Sequence, residues 1–381
     1  MDDRTPVLLS AARTPIGRFG GALRDVTATG LGAHAIHAAL ARAENVVPDQ
    51  VLLGNVVQAG SGQNPARIAA VRAGVPTTVP AMTLNNVCLA SMTSAGLAAM
   101  LIRTGDCRRV LVGGFESMSR ALHGVQIREA SRVGDASTVD LLVRDGLWCA
   151  ISDQGMGAMS DAATVDLGIS RADQDDLAAS SHARAAAGRR SLSEELAILG
   201  DLDVDEGVRP TTSTDQLSAL RPAFSPDGTL TAGNSSQMSD AAAAGLVVSA
   251  GEASALGMEP LAEIVGYTAV AGPDPSLQLK PASAARTLLD RHGLSAADVD
   301  LWEINEAFAA VVIASARALD VEIDRINVNG GAVALGHPLG ASGFRLVMTL
   351  AYEMRRRQAE WGVAAICGGG GQGGALLLRR T

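Results

Sequence analysis

The chain has 381 residues, 47% hydrophobic and 19% charged, with 31 Lys+Arg against 40 Asp+Glu for a net charge of −9. That apolar content excludes wholesale disorder, and the acidic balance excludes a global basic surface for nucleic acid. No run of eighteen apolar residues marks a membrane span, and Met1-Asp2-Asp3-Arg4 lacks a signal peptide's apolar core, so a cytoplasmic protein is expected.

The length predicts two or three domains at roughly 150 residues each. Glycine is abundant, at 42 residues, and aromatics make up only 3%. Tight turns and close helix packing fit this better than a surface for stacking bases. The four cysteines, Cys88, Cys107, Cys149 and Cys367, form no C-x-x-C pair. Zinc-ribbon and thioredoxin-type sites are thereby disfavoured, leaving core packing or nucleophilic chemistry.

In chain order, Val7–Ser10 reads as a buried strand, Leu31–Ala43 as a helix and Val51–Leu53 as a strand. Met92–Arg103 reads as a helix and Arg109–Gly114 as a strand ending in glycine. From about residue 120 to 239 strands are weak, and a helix near Arg171–Arg189 starts behind a Ser170-x-x-Asp173 cap. The C-terminal third returns to alternation: helix Ala282–His292, strand Val299–Ile304, helix Phe344–Arg357, strand Val363–Ile366. This order predicts an α/β protein with a mixed or parallel sheet covered by helices.

The two ends also resemble each other. Asn55 and Asn305 both end acid-started strands, 250 positions apart. Cys88 and His337, 249 apart, each precede an apolar helix. Val112-Gly113-Gly114 and Cys367-Gly368-Gly369, 255 apart, both follow apolar strands. Nearly constant offsets predict a duplicated α/β unit interrupted by an insertion, with Cys88 and His337 at equivalent positions.

Three segments carry chemistry. In Asn85-Asn86-Val87-Cys88-Leu89-Ala90-Ser91 a cysteine sits where an extended segment turns into a helix. The helix dipole there favours a thiolate, and free N–H groups are placed to hold an oxyanion. A packing cysteine satisfies the same pattern. In residues 330–343 one His, His337, lies among five glycines, without a phosphate-binding fingerprint. Histidine is the side chain best suited to move protons near neutral pH. In residues 367–374 Cys367 precedes six glycines between two strand-like runs, the pattern of a hairpin passing close to a ligand.

With Ser10–Pro15, Gln63–Arg67, Gly113–Ser119, Thr231–Ser236 and Asn305–Phe308, these segments resemble the thiolase family of acyl-CoA C-acetyltransferases, nearly end to end. The resemblance implies two duplicated α/β halves with mixed sheets in a layered αβαβα arrangement, plus an inserted loop domain. The halves would span 1–119 with 240–262 and 263–381, and the loop domain 120–239. It implies reversible Claisen condensation or thiolysis through an acyl-Cys88 intermediate, with CoA as substrate and no cofactor or metal. His337 would activate Cys88, and Cys367 would be the second acid/base. Asn305 would hold a water that completes one oxyanion hole with His337, and the Cys88 and Gly369 N–H groups would form the other. One such donor is worth roughly 3–4 kcal/mol in a transition state. Arg209 would lie near the adenine, Ser236 near the pantetheine amide, and Leu147, Met156, Phe224 and Phe308 along the pantetheine tunnel. The partners implied are acyl-CoA and CoA, with neither nucleic acid nor membrane, in a homodimer or homotetramer packed through the N-terminal halves.

Two positions depart from the family. Leu89-Ala90-Ser91 follows the cysteine where members usually carry Gly-Ser-Gly, which is expected to narrow the acyl pocket. Gly155 stands where short-chain biosynthetic members have His, which leaves more room. Two alternatives also belong to this reading: a catalytically weak partner subunit, and a redox-regulated enzyme with a Cys88–Cys367 disulfide.

Overall fold

A computed structural model describes residues 2–128 and 135–381. Its principal strands are β1 (Pro6–Arg13), β2 (Gln50–Gly54), β3 (Ala81–Leu84), β4 (Arg109–Ser117), β5 (Ser239–Ser249), β6 (Ala262–Ala271), β7 (Leu301–Ile304), β8 (Trp361–Gly368) and β9 (Gln372–Arg379). The principal helices are α1 (Ala28–Ala41), α2 (Pro65–Arg72), α3 (Ala90–Thr104), α4 (Met156–Asp166), α5 (Arg171–Ala187), α6 (Lys280–Arg291), α7 (Ala309–Leu319) and α8 (Leu339–Arg357).

The same pairing rule builds both ends of the chain. In the N-terminal half β1, β5 and β4 are antiparallel neighbours, and β2 runs parallel to both β4 and β3. In the C-terminal half β6, β9 and β8 are antiparallel neighbours, and β7 runs parallel to β8 and to a bridge at Ile326. A short antiparallel contact between β1 and β6 joins the halves into one mixed sheet in the order β7-β8-β9-β6-β1-β5-β4-β2-β3.

Helices make the remaining layers. α1 and α2 cover the outer face of the N-terminal strands, and α6 and α7 cover that of the C-terminal strands. α3 and α8 lie against each other, between the two sets of strands. Burial on several sides removes the polar stripe a surface helix needs from α3, which is apolar nearly all round, while α8 carries a buried Arg345 paired with Glu303 and ends in three arginines. Val87–Thr104 is long and apolar enough to cross a membrane, but much of it is buried here as a core helix.

The intervening segment is tied to this frame. α5 begins with a capping box in which Ser170 and Asp173 satisfy each other's backbone N–H groups, as its spacing predicts. Arg13, buried at the end of β1, reaches Glu195 at 2.6 Å and Asp205 at 2.6 Å.

The register corrects one proposed equivalence. Gly54 pairs with Gly114, and Ile304 pairs with Ala365. Strand-end residues Asn55 and Asn305 therefore correspond, as do Cys88 and His337, each two residues before its helix. The counterpart of Cys367 is Glu116, however, not Val112. Apolar strands look alike in sequence, and only hydrogen bonding fixes their register.

Candidate active site

The turn before α3 presents Cys88. Val87 adopts φ 57°, an uncommon conformation for a β-branched residue, and its N–H is held by Asn85 Oδ1 at 3.0 Å. The backbone N–H groups of Cys88 and Gly369 lie beside the Cys88 sulfur and favour its thiolate. Burial pushes the thiol up to about 12 against the pull of these two donors, and the Glu116 charge adds to the rise. The expected dipole-favoured thiolate is therefore corrected. Desolvation outweighs the helix N-terminus, and Cys88 rests as a thiol.

His337 occupies the matching turn before α8. Gly336 at φ 112° makes the bend. Ser342 Oγ donates to the Pro338 carbonyl at 2.8 Å, so at 2.6 Å from His337 Nδ1 it accepts the ring N–H. Nε2 is then the unprotonated nitrogen, and Asn305 Nδ2 lies 3.4 Å from it as donor. Burial, with the nearby Arg345 charge, lowers His337 to about 4. A neutral imidazole with its lone pair on Nε2 is a proton acceptor. Asn305 is fully buried, and its Oδ1 has no partner among the described residues.

Cys367 ends β8 at 1% exposure. Burial raises its thiol, and a charge forming on Cys88 would raise it further, so it too rests protonated. Gly370 and Gly371 turn the chain with φ of 78° and 72°. A Cβ on Gly371 would lie 2.2 Å from the Asp274 carbonyl oxygen. This bare hairpin brings the Gly369 N–H beside the Cys88 sulfur, and both line the same cavity.

Cys88, His337, Cys367 and Gly369 line one cavity of about 70 Å³. It shares Leu147, Met156, Ser236, Phe308 and His337 with a cleft of about 880 Å³ that reaches Phe224. Phe224 and Phe308 pack edge to face with ring centres 5.9 Å apart. Arg209 does not join them. It is exposed and outside the lining of both spaces, and its backbone N–H donates to His182 Nδ1 at 3.1 Å. Sequence reasoning missed Trp148, Gln154, Gln237 and Met238, which line the cleft. Trp148 carried a signal in so aromatic-poor a chain. It pairs with Gly155 in a two-strand hairpin, and its indole N–H donates to Asp153 at 3.1 Å.

Leu89 is corrected as well. It lines neither space. Its Cδ1 lies 2.3 Å from where a Cβ on Gly368 would be, and its Cδ2 3.2 Å from one on Gly374. Leu89 thus fills room left by hairpin glycines instead of narrowing the acyl pocket.

Residues 6–251 match the model of the thiolase N-terminal domain, and residues 258–380 that of the thiolase C-terminal domain. The chain belongs to the thiolase family. It is accordingly an acyltransferase. Among its relatives, a probable acetyl-CoA acetyltransferase of Mycolicibacterium smegmatis is 44% identical, covering 98% of this chain and all of its own length. Acetyl-CoA acetyltransferases of Cupriavidus necator and Pseudomonas aeruginosa are 44% and 45% identical, each covering 98% of this chain and 99% of their own length. Within this thiolase scaffold the two duplicated turns face one cavity. One carries a thiol and the other an imidazole, and the second thiol enters on a hairpin of the C-terminal half.

Proposed function

We propose that the chain interconverts a 3-ketoacyl-CoA plus CoA with acetyl-CoA plus a shortened acyl-CoA, through an acyl-Cys88 intermediate. The observation that carries this reading is the meeting of two buried thiols and one neutral imidazole around a single cavity. In the cleavage direction His337 Nε2 takes the Cys88 proton as the sulfur attacks the 3-keto carbon. The Gly369 and Cys88 N–H groups receive the oxyanion, and Asn305 supports the opposite side. The C2–C3 bond breaks, and the departing acetyl-CoA enolate takes its proton from Cys367. Incoming CoA gives its thiol proton to Cys367 and attacks the Cys88 thioester. Cys88 leaves and recovers its proton from His337. Splitting the transfer this way replaces one difficult step with two easier ones.

CoA is substrate here, and the segment 120–239 supplies most of the apolar cleft for its pantetheine arm, with Ser236 at the amide. The 70 Å³ floor favours a small acyl group. Free cysteines throughout support a reducing, cytoplasmic setting. β3 is the outer strand of the N-terminal half, with Met82 50% exposed. Pairing with a second copy would cover this edge and make a homodimer, or a tetramer of two such pairs. The test is a CoA-dependent cleavage assay over increasing 3-ketoacyl chain lengths. Turnover is expected to be highest for the shortest substrate and lost in C88A and C367A. Full turnover in both variants would refute the assignment.

A further inference from the structure

Glu116, the counterpart of Cys367, does in the N-terminal half what the Cys367 hairpin does in the other. It reaches from a strand end to the first turn of the opposite half's central helix. Its Oε1 accepts the Asn55 side-chain N–H at 2.9 Å and the Val57 N–H at 3.2 Å. Its Oε2 accepts the Val56 and Gly340 N–H groups, both at 3.0 Å. Gly340 lies three residues after His337. The side chain is wholly buried and makes no ion pair with a described residue.

The backbones here are pressed together. A Cβ on Gly114 would lie 2.1 Å from the Gly340 carbonyl oxygen, and one on Gly340 would lie 2.5 Å from that of Phe115. Gly54 touches both central helices. Its Cβ would fall 2.8 Å from the Ser91 nitrogen and 2.9 Å from the Gly340 oxygen. So close an approach buries N–H groups that need an acceptor; burial raises the Glu116 carboxyl to about 7 against the pull of the Val56, Val57 and Gly340 N–H groups, and its ionised form accepts all four donors without offering a proton.

We propose that Glu116 is a positioning residue for acyl transfer, fixing the His337 turn against the Cys88 turn so that Nε2 meets the thiol. This rests on the base and nucleophile roles given above. The test measures Cys88 alkylation by iodoacetamide, with kcat and KM, in wild type, E116Q, H337A and the double variant. Gln turns a donor toward donors at one of the two oxygens. E116Q is expected to lower kcat and the alkylation rate by about tenfold or more, with KM within about twofold, because a small displacement is costly for a reacting pair. In the H337A background it is expected to add no further slowing, since the effect runs through the imidazole. Wild-type kcat in E116Q, or equal slowing with and without His337, overturns the proposal. If E116Q does not fold, E116D, which keeps the charge but shortens the reach, is held to the same criteria. Wild-type alkylation in H337A would instead overturn the underlying base assignment.

Discussion

At Cys88 burial pushes the thiol up to about 12, and at His337 it lowers the imidazole to about 4. The resting pair is therefore neutral on both sides. In the proposed reaction proton transfer proceeds together with sulfur attack, when the N–H groups of Gly369 and Cys88 have an oxyanion to bind. The sign with pH follows. A thiol raised above its ordinary value stays protonated through neutrality, and its thiolate fraction grows until that raised value is passed. In H337A, where only the thiolate reacts, alkylation of Cys88 is expected to rise by about tenfold per pH unit between roughly pH 7 and 10, with no plateau near the free-thiol value. A plateau below pH 8 would mean a preformed thiolate. Cys88, His337 and Cys367 were legible because each sits beside a turn or a dense run of glycines. Glu116 was not. It reads as an ordinary strand-end carboxylate, and its cradle is completed by Gly340, 224 positions later.

Strands and helices were legible wherever hydrophobic periodicity was strong, but their ends and facing were less so. The first helix begins at Ala28 behind a Thr27 cap, three residues before its first expected residue. Leu89 shows why facing stayed hidden. Sequence placed it beside the sulfur, while its direction is set by glycines nearly 300 positions away on β8 and β9. Leu89→Ala should therefore cost roughly 2–4 kcal/mol of stability by leaving a cavity, with acyl-chain preference unchanged. Denaturant unfolding and a substrate-length series read the two effects separately. A variant of unchanged stability that accepts longer acyl groups would place Leu89 in the pocket wall. The cap of α5 offers a smaller check. Ser170→Ala removes one side of the capping box and should cost about 1 kcal/mol in the same unfolding experiment.

Across the whole molecule, duplication brings remote residues together. One pairing rule, used twice, sets two turns face to face across packed central helices, and the reacting groups lie on those turns and on one hairpin. The repeat was readable as nearly constant offsets, while the register that pairs Glu116 with Cys367 was not. Arg13 shows how the inserted segment is held to this frame, since it is the buried partner of both Glu195 and Asp205. Arg13→Met would leave both carboxylates buried without it, and should cost about 3–5 kcal/mol in thermal or denaturant unfolding. The most direct test of the account is to capture the acyl-enzyme by mixing the protein with acetyl-CoA, quenching in acid and mapping the modified peptide by mass spectrometry. One acetyl group on Cys88 is predicted in wild type, acquired more slowly in C367A, because in this direction Cys367 protonates the departing CoA thiolate. No acetyl group in wild type, or one carried on a residue other than Cys88, would contradict it.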